Sequence, residues 1–226
     1  MTFSLVGRCA HTGMLGGAVT TSSIAVGSRC LFARAGIGAA LTQHRTDPRL
    51  GPLALDLIAR GFTAEETKNA IVAGTPHRDW RQLAIIDRAG LTASFSGAHV
   101  RGEKGEAHGK DCVAIANIVR SPELPRAMVE AFESGRSESL ARRLIDALAA
   151  GEAAGGEFVP VISAALIVVH REAFAYVDLR VDDHPSPIVE LSQLWNAYAP
   201  EADAYVIRAV DPDRATSPPI ARSDQA

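Results

Sequence analysis

The sequence predicts an α+β protein in which two antiparallel β-sheets stack face to face between outer layers of helices. Three observations predict it. Segments with strand character come in pairs separated by short turns, so neighbouring strands pair antiparallel. The element order runs strands, helices, strands, helices, strands, which gives each group of strands a helical layer. Each strand segment is apolar enough to need covering, and a stack of two sheets with helices outside covers all of them. No linker composition or internal repeat divides the chain. A single domain is expected over residues 1–210, with a disordered tail over 211–226, where Pro, Asp, Ser and Arg follow no period.

The first strand opens the chain. In Met1 to Arg8, Phe3 and Leu5 point one way and Thr2 and Ser4 the other. A Thr12-Gly13 turn leads to a second run, Gly17 to Ser23, and the two form a hairpin. No leader precedes it in the sequence, so the N-terminus is expected to be fixed inside the sheet. Ile24 to Ala33 reads as a connection, and Gly36 to Gln43 as a short strand. A polar loop from His44 to Leu50 precedes a helix over Gly51–Arg60, capped by Gly61. Thr63-Ala64-Glu65-Glu66 is a capping box that opens a second helix through Val72, stopped by Gly74 and Pro76.

Gln82–Asp87 and Leu91–Ser96 form the next hairpin, around Arg88-Ala89-Gly90. The glycine-rich stretch from His99 to Lys110 has no apolar period and reads as an exposed loop, a lid or a site rim. Cys112–Val119 is a strand. Ser121 and Pro122 supply an N-cap and a first helical residue for a helix to about Phe132, broken at Gly135. A further helix spans Ser137–Ala150, and Gly151–Glu157 is a loop. Val161–Val169 and Phe174–Val181 pair as strands. Ser186-Pro187 opens a helix through Tyr198, and Ala204–Val210 reads as a last strand.

Composition excludes several function classes. A net charge of −3 gives no global basic field to draw nucleic acid or an anionic membrane. The 3 cysteines, Cys9, Cys30 and Cys112, form no CxxC pair, which fits a reducing compartment. The longest apolar run, Phe158–Val169, contains Pro160 and is too short to span a bilayer. No signal peptide pattern opens the chain. A cytoplasmic protein is expected, without nucleic-acid or membrane partners, with a homodimer as the default assembly. Gly36-x-Gly38 is not followed by a helix at phosphate-loop spacing, so no nucleotide cradle is expected.

Thr2 carries the sharpest chemical possibility. Initiator methionine is commonly trimmed before a small residue. Trimming would leave an α-amine, of unperturbed pKa about 7.7–8.0, beside the Thr2 hydroxyl. The neutral amine can take the hydroxyl proton and make Oγ1 a nucleophile. Thr2 as an ordinary strand residue is the plainer reading of the N-terminal pattern alone.

The residues now point to a family. The Met1-Thr2-Phe3-Ser4 start with Arg8, Thr12-Gly13-x-x-Gly16, Ala18-Val19 leading to Ser22-Ser23, Ala33-Arg34-Ala35-Gly36-x-Gly38-Ala39, Thr42-Gln43, Asn117, Ala154-Gly155-Gly156, Ser163-Ala164-Ala165 and the run Val177 to Pro185 together resemble the bacterial and archaeal DUF1028 family, whose function is uncharacterised. The resemblance covers nearly all of residues 1–200. It implies the four-layer αββα sandwich of N-terminal-nucleophile (Ntn) hydrolases, in which the first residue of the mature chain is the nucleophile, its α-amine is the base, and an amide bond is hydrolysed without a cofactor. Thr2 falls at that position. Two departures stand out. Cys9 replaces the acidic residue that tends to follow Arg8. Val159-Pro160-Val161-Ile162 replaces an Arg-Gly-Arg-Gln-like stretch, so if that stretch binds a substrate carboxylate in relatives, the ligand here is different or the site is weakened.

The candidate site residues follow. Thr2 is the nucleophile and Asn117 the side-chain donor to an oxyanion. Ser22 and Ser23 end the strand beside Thr2 and are candidates to orient the amine or the substrate. Gln43 at a strand end is a candidate substrate donor. Asp178 and Arg180 share a strand face, as an ion pair or as holders of the amine or a substrate carboxylate. Asp182-Asp183-His184 lacks a second ligand cluster, and no metal is expected. The substrate is then a small amide or peptide. A binding or assembly module on the same fold, without N-terminal chemistry, remains open, as does an enzyme using Ser22 or Cys9.

Overall fold

The structure is a computed structural model that describes residues 1–215. Two antiparallel sheets carry the chain. The larger has six strands in the order β10 (Ala175–Val181), β9 (Ser163–Val169), β2 (Leu15–Thr21), β1 (Thr2–Arg8), β8 (Cys112–Asn117) and β7 (Lys104–Gly109). The smaller has four, β3 (Leu31–Arg34), β4 (Gly38–His44), β5 (Arg81–Asp87) and β6 (Thr92–Ser96). The period-two pattern of β1 sets its place. Phe3 and Leu5 pack on α3 (Leu124–Ser134) and α4 (Leu140–Ala153), against Met128, Phe132, Leu144 and Leu148. Val6 turns the other way and, with Val19 and Ile115, meets Leu41, Ala84 and Ile86 of the smaller sheet. The outer face of that sheet is covered by α1 (Leu50–Ala59) and α2 (Ala64–Gly74), through Leu50, Ile58 and Ile71. The α5 helix (Pro187–Tyr198) completes the helical layer over β9 and β10 with Leu191 and Trp195. The result is the αββα sandwich. One close approach sets the α4–β1 spacing: a Cβ at Gly151 would meet the Phe3 ring at 3.0 Å. Among the described residues no helix is long and apolar enough to cross a membrane.

Four local expectations are corrected. Residues 31–34, expected within a connection, form edge strand β3, where a four-residue run is too short to show alternation. Residues 104–109, expected within a loop, form edge strand β7. Lys104-Gly105-Glu106-Ala107-His108-Gly109 has a single apolar side chain, and the strand is held by ladder hydrogen bonds to β8. Residues 204–210, expected as a strand, lie within helix α6 (Ala202–Val210). Its β-branched and aromatic residues are recruited outside the sheet, where Tyr205 packs on Tyr198 at 5.3 Å between centroids and the Tyr176 hydroxyl donates to Asp203 at 3.0 Å. The α3 helix starts after Ser121-Pro122: Glu123 is its N-cap, and the Ser121 hydroxyl accepts from the Glu123 N–H at 3.2 Å in the preceding turn. The expected tail begins with a 3-10 turn over Pro212–Arg214, and its residues 216–226 lie outside the described residues.

Candidate active site

Antiparallel pairing brings six strand ends to one end of the sandwich. Thr2 lies opposite Asn117, Thr21 opposite Ser163, and His44 opposite Arg81. The starts of β1, β5 and β9 therefore meet the ends of β2, β4 and β8. A cavity of about 420 Å³ opens between the sheets there, lined by Met1, Thr2, Ser23, Val26, Arg29, Cys30, His44, Arg45, Thr46 and Arg81. A hollow of about 430 Å³ between the β9–β10 turn and α6 contains none of the candidate residues, so its size alone gives it no chemical role.

Thr2 is buried and its hydroxyl faces this cavity layer. Oγ1 donates to the Met1 carbonyl and lies 3.5 Å from Thr21 Oγ1, which itself donates to that carbonyl at 2.5 Å. Behind them stands Glu157, buried, with Oε2 accepting from the Ser22 N–H at 3.1 Å and Oε1 without a partner. Burial pushes the Glu157 carboxyl above the usual carboxylate range, against the pull of the Ser22 and Thr21 hydrogen bonds and the α-amine. Burial likewise lowers the α-amine of Met1 below its ordinary value, with Glu157 and Cys30 opposing that shift. Both shifts have one cause: the low-dielectric setting disfavours charge on either partner, and their attraction only partly offsets it. The Cys30 thiol, at the same cavity, is pushed up by burial and stays neutral.

Beneath Thr2 the two sheets are joined by a ladder of side-chain amides. Ser4 Oγ donates to Gln43 Oε1 at 2.7 Å, and Gln43 Nε2 donates to Gln82 Oε1 at 2.7 Å. The same Gln82 oxygen accepts from Asn117 Nδ2 at 3.0 Å, while Gln82 Nε2 donates to the Ala116 carbonyl at 2.9 Å and to Ser96 Oγ at 3.0 Å. Asn117 Oδ1 is buried without a partner.

The cavity wall is basic. Arg29 holds the loop after β2, donating to the Ile24 and Ala25 carbonyls at 2.7 Å each and to Ser23 Oγ at 2.8 Å. Ser163 Oγ fixes the same loop, donating to the Ser23 carbonyl at 2.6 Å and accepting from the Val26 N–H at 3.1 Å. Arg45 lies over the Trp80 ring, 5.7 Å from its centroid. Arg81 donates to the Arg45 carbonyl, yet its Nε is buried with no partner. The Asp47 carboxyl, held below its usual range first by Arg49, binds Arg49 Nε and Nη2 at 2.9 and 2.8 Å and stands 3.8 Å from Arg81. His44 is left-handed at φ 72°, its Nδ1 is 2.9 Å from the Trp80 carbonyl, and burial lowers its pKa. Ala25 and Ile118, also left-handed at φ 55° and 53°, flank the same strand ends. Such strain gathers at functional sites.

The structure divides the predicted residues. Thr2 and Ser23 line the cavity, and Ser22 touches it through Glu157. Gln43 and Asn117 lie one layer down in the amide ladder, outside the cavity lining, and the Asn117 amide is spent on Gln82. Asp178 and Arg180 are not brought to the site: they pair with each other at 3.2 Å on β10, an exposed edge strand. Among Asp182, Asp183 and His184, the His184 Nδ1 accepts from the Ser186 N–H at 3.1 Å. Sequence reasoning missed Glu157, Arg45 and Arg81. Glu157 closes a glycine-alanine loop and belongs to no motif, and its burial comes from a bridge to Val119 and from Arg120, which donates to its carbonyl at 3.0 Å.

Comparison with known proteins agrees with this architecture. The model of a family of unknown function, DUF1028, matches residues 2–191. The crystal structure of protein SPO2555 from Silicibacter pomeroyi, of that family, superposes with a TM-score of 0.82 at 32% identity, covering 88% of this chain and 86% of that one. Anbu (ancestral beta-subunit) from Yersinia bercovieri gives a TM-score of 0.40 at 11% identity over 90% of this chain and 97% of that one, too slight a likeness to bear on chemistry. A search of curated proteins finds no match.

Proposed function

We propose that this chain, which belongs to the DUF1028 family, is an N-terminal-nucleophile hydrolase that cleaves an amide bond in a small amide or peptide, with Thr2 as nucleophile once Met1 is removed. The observation that carries the reading is that Thr2 and Met1 line one cavity between the sheets, with the buried Glu157 carboxyl just behind them on the Ser22 N–H. Cavities of roughly 300–1,000 Å³ suit small molecules.

In the proposed cycle the Thr2 α-amine takes the Oγ1 proton, directly or through one water, as Oγ1 attacks the amide carbonyl. An α-amine of ordinary pKa about 7.7–8.0 is already partly neutral near pH 7, which supplies the base that this step needs. The negative charge on the carbonyl oxygen develops in a cavity of net basic lining, whose field lowers the cost of that charge. The protonated amine then gives its proton to the leaving nitrogen, and the C–N bond breaks to leave an ester on Oγ1. Water attacks the ester, the amine takes its proton, and Oγ1 leaves with that proton restored. Thr21 Oγ1, 3.5 Å from Thr2 Oγ1 and released from the Met1 carbonyl once Met1 is gone, is the hydroxyl available to steady the amine. Asn117, its amide given to Gln82, positions the floor under Thr2.

One observation favours a second reading. With Met1 in place, the Thr2 nitrogen is an amide and the Thr2 hydroxyl is bonded to the Met1 carbonyl, so the cavity then serves a catalytically inactive binding or assembly module. Intact mass of untagged protein before and after a β-lactone separates the two. Loss of Met1 with one adduct, absent in Thr2→Ala, is the expected result. A fully retained Met1 and no adduct would sink the Thr2 mechanism.

A further inference from the structure

We infer that the substrate of this site is an acidic amide: an anionic oxygen group, a carboxylate or a phosphate, sits against Arg45 and Arg81 while the scissile carbonyl faces Thr2. The inference rests on the hydrolase reading for the word amide, but its anion subsite stands on independent observations. Arg29, Arg45 and Arg81 all line the cavity at Thr2. Among the described residues neither Arg29 nor Arg45 has a carboxylate within ion-pair distance. The carboxylate nearest to Arg81, Asp47, is 3.8 Å away and is already taken by Arg49 at 2.8 Å. The remaining acid, Glu157, stands with the α-amine. The wall therefore carries uncompensated positive charge.

The guanidinium of Arg81 gives this charge a geometry. Its Nε is buried and, among the described residues, donates to nothing. A buried donor without an acceptor is costly, and such groups in folded proteins call for an explanation. An oxygen anion set against the guanidinium fork of Arg81 binds more tightly than a neutral group. Arg45 is exposed and holds its guanidinium by stacking on Trp80, with no side-chain hydrogen bond to break before it turns to a ligand.

The test separates the anion subsite from the chemistry. Binding of glutarate and of inorganic phosphate is measured by calorimetry on the wild-type full chain, on Thr2→Ala, on Arg45→Gln and on Arg81→Lys, which keeps the charge but loses Nε. Hydrolysis is measured with glutaryl-p-nitroanilide and the neutral butyryl-p-nitroanilide. The expected result is binding of one anion to wild type and Thr2→Ala alike, weakened about tenfold or more by Arg45→Gln and by Arg81→Lys, with the acidic anilide cleaved in preference to the neutral one. Whichever anion binds assigns the group as carboxylate or phosphate. Binding without turnover of either anilide upholds the anion subsite and overturns the hydrolase. Turnover of the neutral anilide with no binding of either anion overturns the inference and leaves the hydrolase standing. Neither binding nor turnover overturns both.

Discussion

A carboxylate buried beside an α-amine acts on it in two opposed ways. Its charge favours the ammonium, while the burial that the two share disfavours charge on both. At Glu157 burial dominates, and the carboxyl is raised above its ordinary value. A glutamate raised in the folded state contributes stability that is fully present below its unfolded pKa and is lost as pH rises through the folded one. Glu157→Gln keeps an acceptor for the Ser22 N–H and removes the titration. The difference in melting temperature between Glu157→Gln and wild type is therefore expected to grow in favour of the variant as pH rises from the glutamate range toward neutrality. A difference that stays flat across that range would show that Glu157 does not titrate in this way. In the proposed mature chain, where Thr2 carries the amine, removing the carboxylate withdraws an attraction that favours the ammonium, so the acidic limb of kcat/KM is expected to move to lower pH. None of this was legible in the sequence, where Thr2 and its amine could be named but the acid behind them could not. Thr2 is marked by its place at the chain start, whereas Glu157 reaches the site only because Val119 and Arg120 hold a distant loop against it.

Elements whose stability is written locally were the ones the sequence revealed. The capping box of α2 is complete: the Glu66 N–H donates to Thr63 Oγ1 at 3.2 Å, and the Thr63 N–H donates to Glu66 Oε2 at 2.8 Å. Thr63→Ala is expected to cost about 1 kcal/mol, seen as a fall of ~2–4 °C in melting temperature, with lactone labelling of Thr2 unchanged because α2 lies on the outer face of the smaller sheet. A loss of labelling in the folded variant would mean that the outer helices reach the site. The hairpins β1–β2 and β5–β6 were legible for a similar reason, since alternation and a tight turn are both local. Strands β3 and β7 were not. Each is an edge strand whose pairing, not its side chains, specifies it, and His108 on β7 shows how: its two ring nitrogens lie 2.8 and 2.7 Å from Thr92 and Ser94 of the other sheet. The α6 helix misled in the opposite direction, because Tyr205, Val206 and Ile207 carry strand propensity that packing on β10 overrides.

Across the whole molecule the space between the sheets changes character along its length. Its body is apolar, with Val6, Leu15, Val19, Leu41, Ile86 and Ile115, and its open end is polar, with Thr2, Ser4, Gln43, Gln82 and Asn117. A polar end lets a cavity form without exposing the core, and its amides hold the two sheets together through the bonds that they make to one another. Gln82 is the hub, accepting from two side chains and donating to a side chain and a carbonyl. Gln82→Leu fills similar space and leaves Gln43 Nε2 and Asn117 Nδ2 without that acceptor, at roughly 1–3 kcal/mol for each orphaned group. A fall in melting temperature on the order of 6–12 °C is expected from a total near 3 kcal/mol. Gln82→Leu with Gln43→Leu removes one orphan along with its partner, so the double variant is expected to lose less than the sum of the single losses. Because Asn117 faces Thr2 across the β1–β8 register, the same single variant is expected to slow lactone labelling of Thr2 well below its own unfolding temperature. Strict additivity with normal labelling would mean that the sheets are held at this end by apolar contacts alone, and that the amide ladder does not set the position of the nucleophile.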